Sequence, residues 1–147
     1  MLIIDASLGV WLVLPQFAPR DPAPALEAAR LRGEAIAAPM HWRAEVVSII
    51  AGYAFAGQLT DPEGAAAAEE LTQVDLDLVP LDTDLCLRAF AWARRLHQRR
   101  AYDAFYVALA ERRGARLWTG DQRLYNACRA LRLDWVDWLG PGSSLLN

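Results

Sequence analysis

Short apolar runs at residues 2–4, 35–38, 76–81, 116–118 and 135–136 alternate along this chain with stretches of helix-forming composition. Antiparallel neighbours in a sheet can be joined by a tight turn, but parallel neighbours need a crossover of about a dozen residues, usually a helix. The alternation therefore predicts an α/β fold, a parallel sheet flanked on both faces by helices. Helices are expected over residues 6–14, 25–32, 41–59, 101–113 and 122–131. A further one follows an Asp61 cap, and another runs from Asp82 or Thr83 to about His97. Four prolines between Pro15 and Pro24 make that stretch a loop, while Gly33 and Gly114 sit where helices should stop.

At 147 residues, with 54% hydrophobic and 22% charged, the chain suits one domain spanning 1–147 and is not a disordered polymer. No apolar run reaches the roughly 18 residues of a membrane span. The best, residues 46–55, is broken by Ser48, Gly52 and Tyr53. Asp5 follows the first apolar residues with no basic residue before them, so no signal peptide is expected and a cytoplasmic location is. Cys86 and Cys128 lie far apart in apolar helical patterns, where cysteine normally fills a core; zinc and disulfide scaffolds are not indicated.

Most of the 18 acidic residues suit solvated helix faces, but four do not. Asp5 stands at the carboxyl end of the first strand and Asp121 just past the strand before it, where ligands of open α/β sheets gather. Asp103 opens a helix. Glu45 lies inside an apolar helix on the face of Trp42 and Ile49. Each has a plainer explanation: Asp5 and Asp121 as helix caps, Asp103 as a partner of the helix dipole, Glu45 as half of a pair with His41 or Arg43. One shared cause explains all four together. Converging carboxylates repel unless a cation neutralises them. Hard oxygen ligands suit Mg²⁺ or Mn²⁺, and the corresponding chemistry is attack of a metal-activated water on a phosphodiester.

Four segments carry a resemblance. Ile4-Asp5-Ala6-Ser7, Pro39-x-x-Trp42-x-x-Glu45-Val46, Tyr102-Asp103-Ala104-x-Tyr106-x-Ala108-Leu109-Ala110-Glu111 and Leu117-x-Thr119-x-Asp121-x-x-Leu124 resemble, in order, the motifs of PIN-domain ribonucleases, and more narrowly those of VapC-type toxins. The resemblance covers nearly the whole chain. It implies a metal-dependent endoribonuclease acting as the toxin of a type II toxin–antitoxin pair, using Mg²⁺ (or Mn²⁺). By position, Asp5, Glu45, Asp103 and Asp121 match the acidic, metal-binding quartet, and Ser7 and Thr119 the hydroxyls that orient it. Leu124 stands where Phe is common, a packing change.

An RNA substrate needs local positive charge, and without the four acids the chain's acids and bases all but balance. Arg43 and Arg123, each two residues from a pocket acid, are the candidate phosphate contacts. Arg99-Arg100 before Asp103 reads as solvated surface, Trp42 as core more readily than as a base-stacking platform, and His41 and His97 as packed or surface residues. The resemblance also implies a homodimer and a small antitoxin placing a basic side chain against the acids. Trp11, Leu12, Val13 and Leu14, with Ala54, Phe55 and Leu59, are the apolar candidates for partner contact. A catalytically silent PIN-like scaffold is the alternative, and four retained acids weigh against it. A phosphatase with an aspartate nucleophile needs a second Asp two residues after the first, where this chain has Ser7.

Overall fold

The structure, a computed structural model, describes residues 1–143. Strands β1 (Leu2–Ile4), β2 (Ile36–Pro39), β3 (Asp77–Val79), β4 (Arg116–Thr119) and β5 (Val136–Trp138) form one sheet in the order β3-β2-β1-β4-β5. Every pairing is parallel, with Leu2 opposite both Ile36 and Arg116, and Thr119 opposite Trp138. Successive strand residues point to opposite faces, yet Leu2, Ile3 and Ile4 are all buried, so β1 is covered on both sides.

The covering helices are α1 (Ala6–Val13), α2 (Ala23–Leu31), α3 (Trp42–Phe55), α4 (Asp61–Leu71), α5 (Thr83–Arg95), α6 (Tyr102–Arg113) and α7 (Gln122–Ala130). α1 packs against α3 and α4. α6 lies on β1, β2 and β4 and is itself packed by α5. Ala104, Ala108 and Ala110 are fully buried on α6, and these small side chains let it sit close to the sheet. Among the described residues no helix is long and apolar enough to cross a membrane.

The strand order has a functional consequence. From β1 the chain steps outward to β2 and β3, then returns to place β4 on the other side of β1. The connections leaving the carboxyl ends of β1 and β4 diverge there, opening the crevice typical of doubly wound sheets. Asp5 and Asp121 stand on those two connections.

Several boundaries depart from expectation. The helix expected to Leu59 stops at Phe55, because Gly57 adopts a left-handed φ of 73° and the chain turns to bury Leu59. The next helix is capped by Thr60 rather than Asp61: Thr60 and Glu63 form a reciprocal capping box, and Asp61 falls in the first turn. The proline loop contains a 3₁₀ turn, Pro15–Phe17, whose Phe17 stacks on Tyr53 at 4.3 Å. Cys86 is exposed and only Cys128 fills the core. Of the apolar residues expected to meet a partner, Val13, Leu14 and Leu59 are buried in the chain's own interior, whereas Phe55 is 96% exposed.

The junction of α1 and α3 holds the fold to the crevice. Trp42 is completely buried, and its indole N–H donates to the Asp5 carbonyl at 2.9 Å. Its ring leaves no room for a side chain at position 9: a Cβ on Gly9 would lie 2.5 Å from Trp42 Cζ2 and 2.6 Å from Val46 Cγ2. Gly9→Ala should therefore lower stability by about 1–3 kcal/mol through overpacking, despite the ~1 kcal/mol that alanine gains in helix propensity. Urea denaturation measures this, and a variant as stable as the parent would contradict the close contact.

Candidate active site

The site is built outward from Asp5. As the N-cap of α1 it has extended backbone, and its carboxylate accepts the Leu8 N–H at 3.3 Å. It also accepts short hydrogen bonds from the hydroxyls of Ser7 and Thr119. Both hydroxyls are oriented in turn, since Ser7 Oγ accepts the Gly120 N–H at 2.7 Å and Thr119 Oγ1 the Asp121 N–H at 2.9 Å. Every proton in this relay thus points toward Asp5, a polarity that favours the ionised carboxylate. Gly120 is needed for the approach, because a Cβ there would lie 2.3 Å from Trp11 Cη2. Burial opposes ionisation: it pushes the Asp5 carboxyl up to about 7, against the Ser7, Thr119 and Leu8 hydrogen bonds, with Asp103 adding a smaller upward push.

The other acids gather around Asp103. It lies in the first turn of α6 and accepts from Gln98 Nε2 at 3.2 Å. Burial, then the charges of Glu45 and Asp121, raise its carboxyl to about 6, while Arg123 and His41 pull it down. Asp121 caps α7, and both cap bonds, from the Arg123 and Leu124 N–H groups, fall on Oδ1. Its Oδ2 makes no hydrogen bond among the described residues. Glu45, in the first turn of α3, accepts from the Tyr106 hydroxyl at 2.6 Å and lies 3.4 Å from His41 Nε2. Burial and the adjoining Glu45 hold the Tyr106 phenol well above its ordinary range, so it stays a donor. His41 is ringed by Phe105, Tyr106 and Tyr102 at 5.3, 5.2 and 5.9 Å.

The four acids expected from the sequence are near enough for their charges to be felt, Glu45 and Asp121 by Asp103 and Asp103 by Asp5, and Asp5 and Asp121 are caps as well. The plainer explanations hold for both caps, and for Glu45 beside His41. Among the described residues no three His, Cys, Asp or Glu side chains converge into a ready-made metal cage. The donor set still fits a hard divalent cation. It is all oxygen and acidic, and Mg²⁺ takes one or two carboxylates directly while keeping several waters.

The arginines are distributed differently from expectation. Arg123 lines a cleft of about 500 Å³ with Asp103 and Asp121. Arg43 instead reaches the Thr72 carbonyl at 3.5 Å and lines neither this cleft nor its neighbour beside Glu45. Trp42, fully buried, has no face for a base. Tyr106 and Gln98, which hold Glu45 and Asp103, had no assigned role in the sequence. Tyr106 lies within the Tyr102–Glu111 motif, which is its signal in the sequence; Gln98 has no local signal.

Because the folded protein binds the Asp103 proton more tightly than an unfolded chain does, this group's stabilising effect is complete below pH ~4. It is lost as pH rises toward 6. In EDTA at pH 8, Asp103→Asn should be more stable than the parent by about 1–3 kcal/mol, and the gap should vanish near pH 4. Melting curves across pH test this, and a variant less stable at pH 8 would contradict it.

The PIN domain family matches residues 2–130, a span that includes all four acids. Ribonuclease VapC3 of Mycobacterium tuberculosis (strain ATCC 25618 / H37Rv) is 40% identical over 126 residues, 86% of this chain and 86% of that protein. Ribonuclease VapC12 of the same strain is 34% identical over 128 residues, 84% and 89% of the two chains. The crystal structure of Mycobacterium tuberculosis VapC20, described as a sarcin–ricin loop cleaving toxin, superposes with a TM-score of 0.60 at 19% identity. It covers 86% of this chain and 95% of that one, a likeness of fold. The chain belongs to the PIN domain family, among its VapC-type members.

Proposed function

We infer that this protein is an endoribonuclease that hydrolyses RNA phosphodiesters with Mg²⁺ or Mn²⁺, and that it is the toxin of a type II toxin–antitoxin pair. The observation carrying this reading is the coupling of four acids at the sheet's switch point, Asp103 with Glu45 and Asp121, and Asp5 with Asp103. VapC3 and VapC12, both called ribonucleases, supply the substrate class by similarity.

Asp5, Glu45, Asp103 and Asp121 would hold the cation. When bound, it supplies charge neutralisation at the phosphodiester and an acidified water. The chain's own residues do the positioning. Ser7 and Thr119 keep both Asp5 oxygens oriented, Tyr106 holds Glu45, and Gln98 holds Asp103. Asp121 keeps Oδ2 for the pocket while Oδ1 caps α7.

The biological setting follows from the same reading: a cytoplasmic homodimer, silenced by a small antitoxin that sets a basic side chain against the acids. Phe55, exposed on the last turn of α3, remains the strongest of the apolar candidates for partner contact.

Purified protein should cleave single-stranded RNA with Mg²⁺ or Mn²⁺ and not in EDTA. Glu45→Gln keeps an acceptor for Tyr106 and removes a charge, so it should fold as stably as the parent, within about 1 kcal/mol. It should nonetheless lose at least roughly a hundredfold in cleavage rate, the scale of losing an electrostatic group in a catalytic site. Full activity in EDTA would falsify the metal-dependent reading. If Glu45 were merely half of a structural pair, the variant would instead be destabilised with activity retained.

A further inference from the structure

Three of the acids line two clefts of different chemistry. The first, about 500 Å³, has Arg99, Arg100 and Arg123 on its walls beside Asp103 and Asp121. The second, about 400 Å³, is walled by His41, Ser48 and Tyr102 beside Glu45. Arg100 lines both.

The turn between α5 and α6 puts it there. His97 takes a left-handed φ of 54°, uncommon for any residue but glycine, and Gln98 then folds back to bind Asp103. The turn is held although it leaves Gln98 Oε1 buried without a hydrogen-bond partner, a cost typically retained at functional sites. Its product is Arg99 and Arg100, exposed beside the acids and unpaired with any acid among the described residues. Arg88, Arg112 and Arg116 pair with Asp84, Asp82 and Asp137, whereas Arg94, Arg113, Arg129 and Arg132 are also exposed without an acid partner among the described residues. What sets Arg99 and Arg100 apart is their place in the cleft beside Asp103 and Asp121. In the second cleft Tyr102 is 56% exposed, its ring 5.9 Å from that of His41.

Unpaired guanidinium groups on one side and an exposed aromatic side chain on the other match the two parts of a nucleotide. Resting on the ribonuclease reading above, we propose that a single-stranded RNA segment crosses the acids. Its phosphates lie on Arg100, Arg99 and Arg123 in the first cleft, and an unstacked base lies on Tyr102 in the second. Arg100 bridges the two. A duplex is excluded from this path, because its base faces are covered by stacking.

Fluorescence anisotropy with a labelled single-stranded RNA oligonucleotide, with Ca²⁺ in place of Mg²⁺ and over a range of salt, tests the path. Arg100→Gln should weaken binding several-fold and flatten the slope of log affinity against log salt by about 0.7, one phosphate contact. Tyr102→Ala should weaken binding roughly fivefold or more with the slope unchanged, and Tyr102→Phe, which keeps the ring, should restore it. Both side chains are exposed, so neither variant endangers the fold. Arg32→Gln, which loses only a surface pair with Glu34, should bind as the parent does. Parent-like binding and slope in Arg100→Gln, no rescue by Tyr102→Phe, preference for duplex over single strand, or no saturable binding by the parent would each overturn the path. Cleavage assays separate the two readings. A parent that cuts RNA while Arg100→Gln and Tyr102→Ala bind and cut normally removes the path and leaves the ribonuclease. A parent that binds in the expected pattern but cuts no RNA with Mg²⁺ or Mn²⁺ does the reverse.

Discussion

One buried carboxylate organises the crevice. Asp5 accepts a backbone N–H from its own helix and two hydroxyl protons, and each hydroxyl is itself oriented by an N–H from the β4–α7 connection. The relay ties the connection leaving β1 to the one leaving β4, where the two diverge, and Trp42 adds α3 through the Asp5 carbonyl. Gly9 and Gly120 keep the surrounding walls thin enough for these approaches. An all-acceptor carboxylate, held nearly out of solvent at 4% exposure, is a costly object unless something positive faces it.

The remaining acids aggravate that cost. Asp103 feels Glu45 and Asp121 directly and is pushed in the same direction as Asp5, so the metal-free cluster opposes its own ionisation. The interior of both sheet faces offsets this, since β1 and half of α6 are fully buried. The fold thus carries a locally unfavourable group of charges on a well-packed scaffold, the usual division between stability and function.

What was legible in the sequence follows from what is local. Strands and helices showed through because apolar runs and helix periods are short-range signals, and Gly114 in left-handed conformation ends α6 where its position implied. Asp5 and Asp121 are legible as caps or as ligands, and the structure shows the cap role at both, with the two cap bonds of Asp121 falling on Oδ1 alone. The Thr60 box was misassigned by one residue because Asp61 is an equally plausible cap in isolation. The partners of the acids were harder. Tyr106 lies 61 residues from Glu45, and Thr119 lies 114 from Asp5, so only the assembled sheet brings them together. Arg43 and Arg123 stood equally near an acid in the chain. α3 turns the first toward the Thr72 carbonyl, whereas α7 leaves the second in the cleft.

We propose that these four acids share a divalent cation. Titration with Mn²⁺ at pH 7, followed by the loss of its free-ion paramagnetic resonance signal, tests it without reference to any substrate. Saturable binding by the parent is expected, weakened roughly tenfold or more in Asp103→Asn, a loss no smaller than removing an outer-shell partner causes. No saturable binding by the parent, or equal affinity in the variant, would contradict the account.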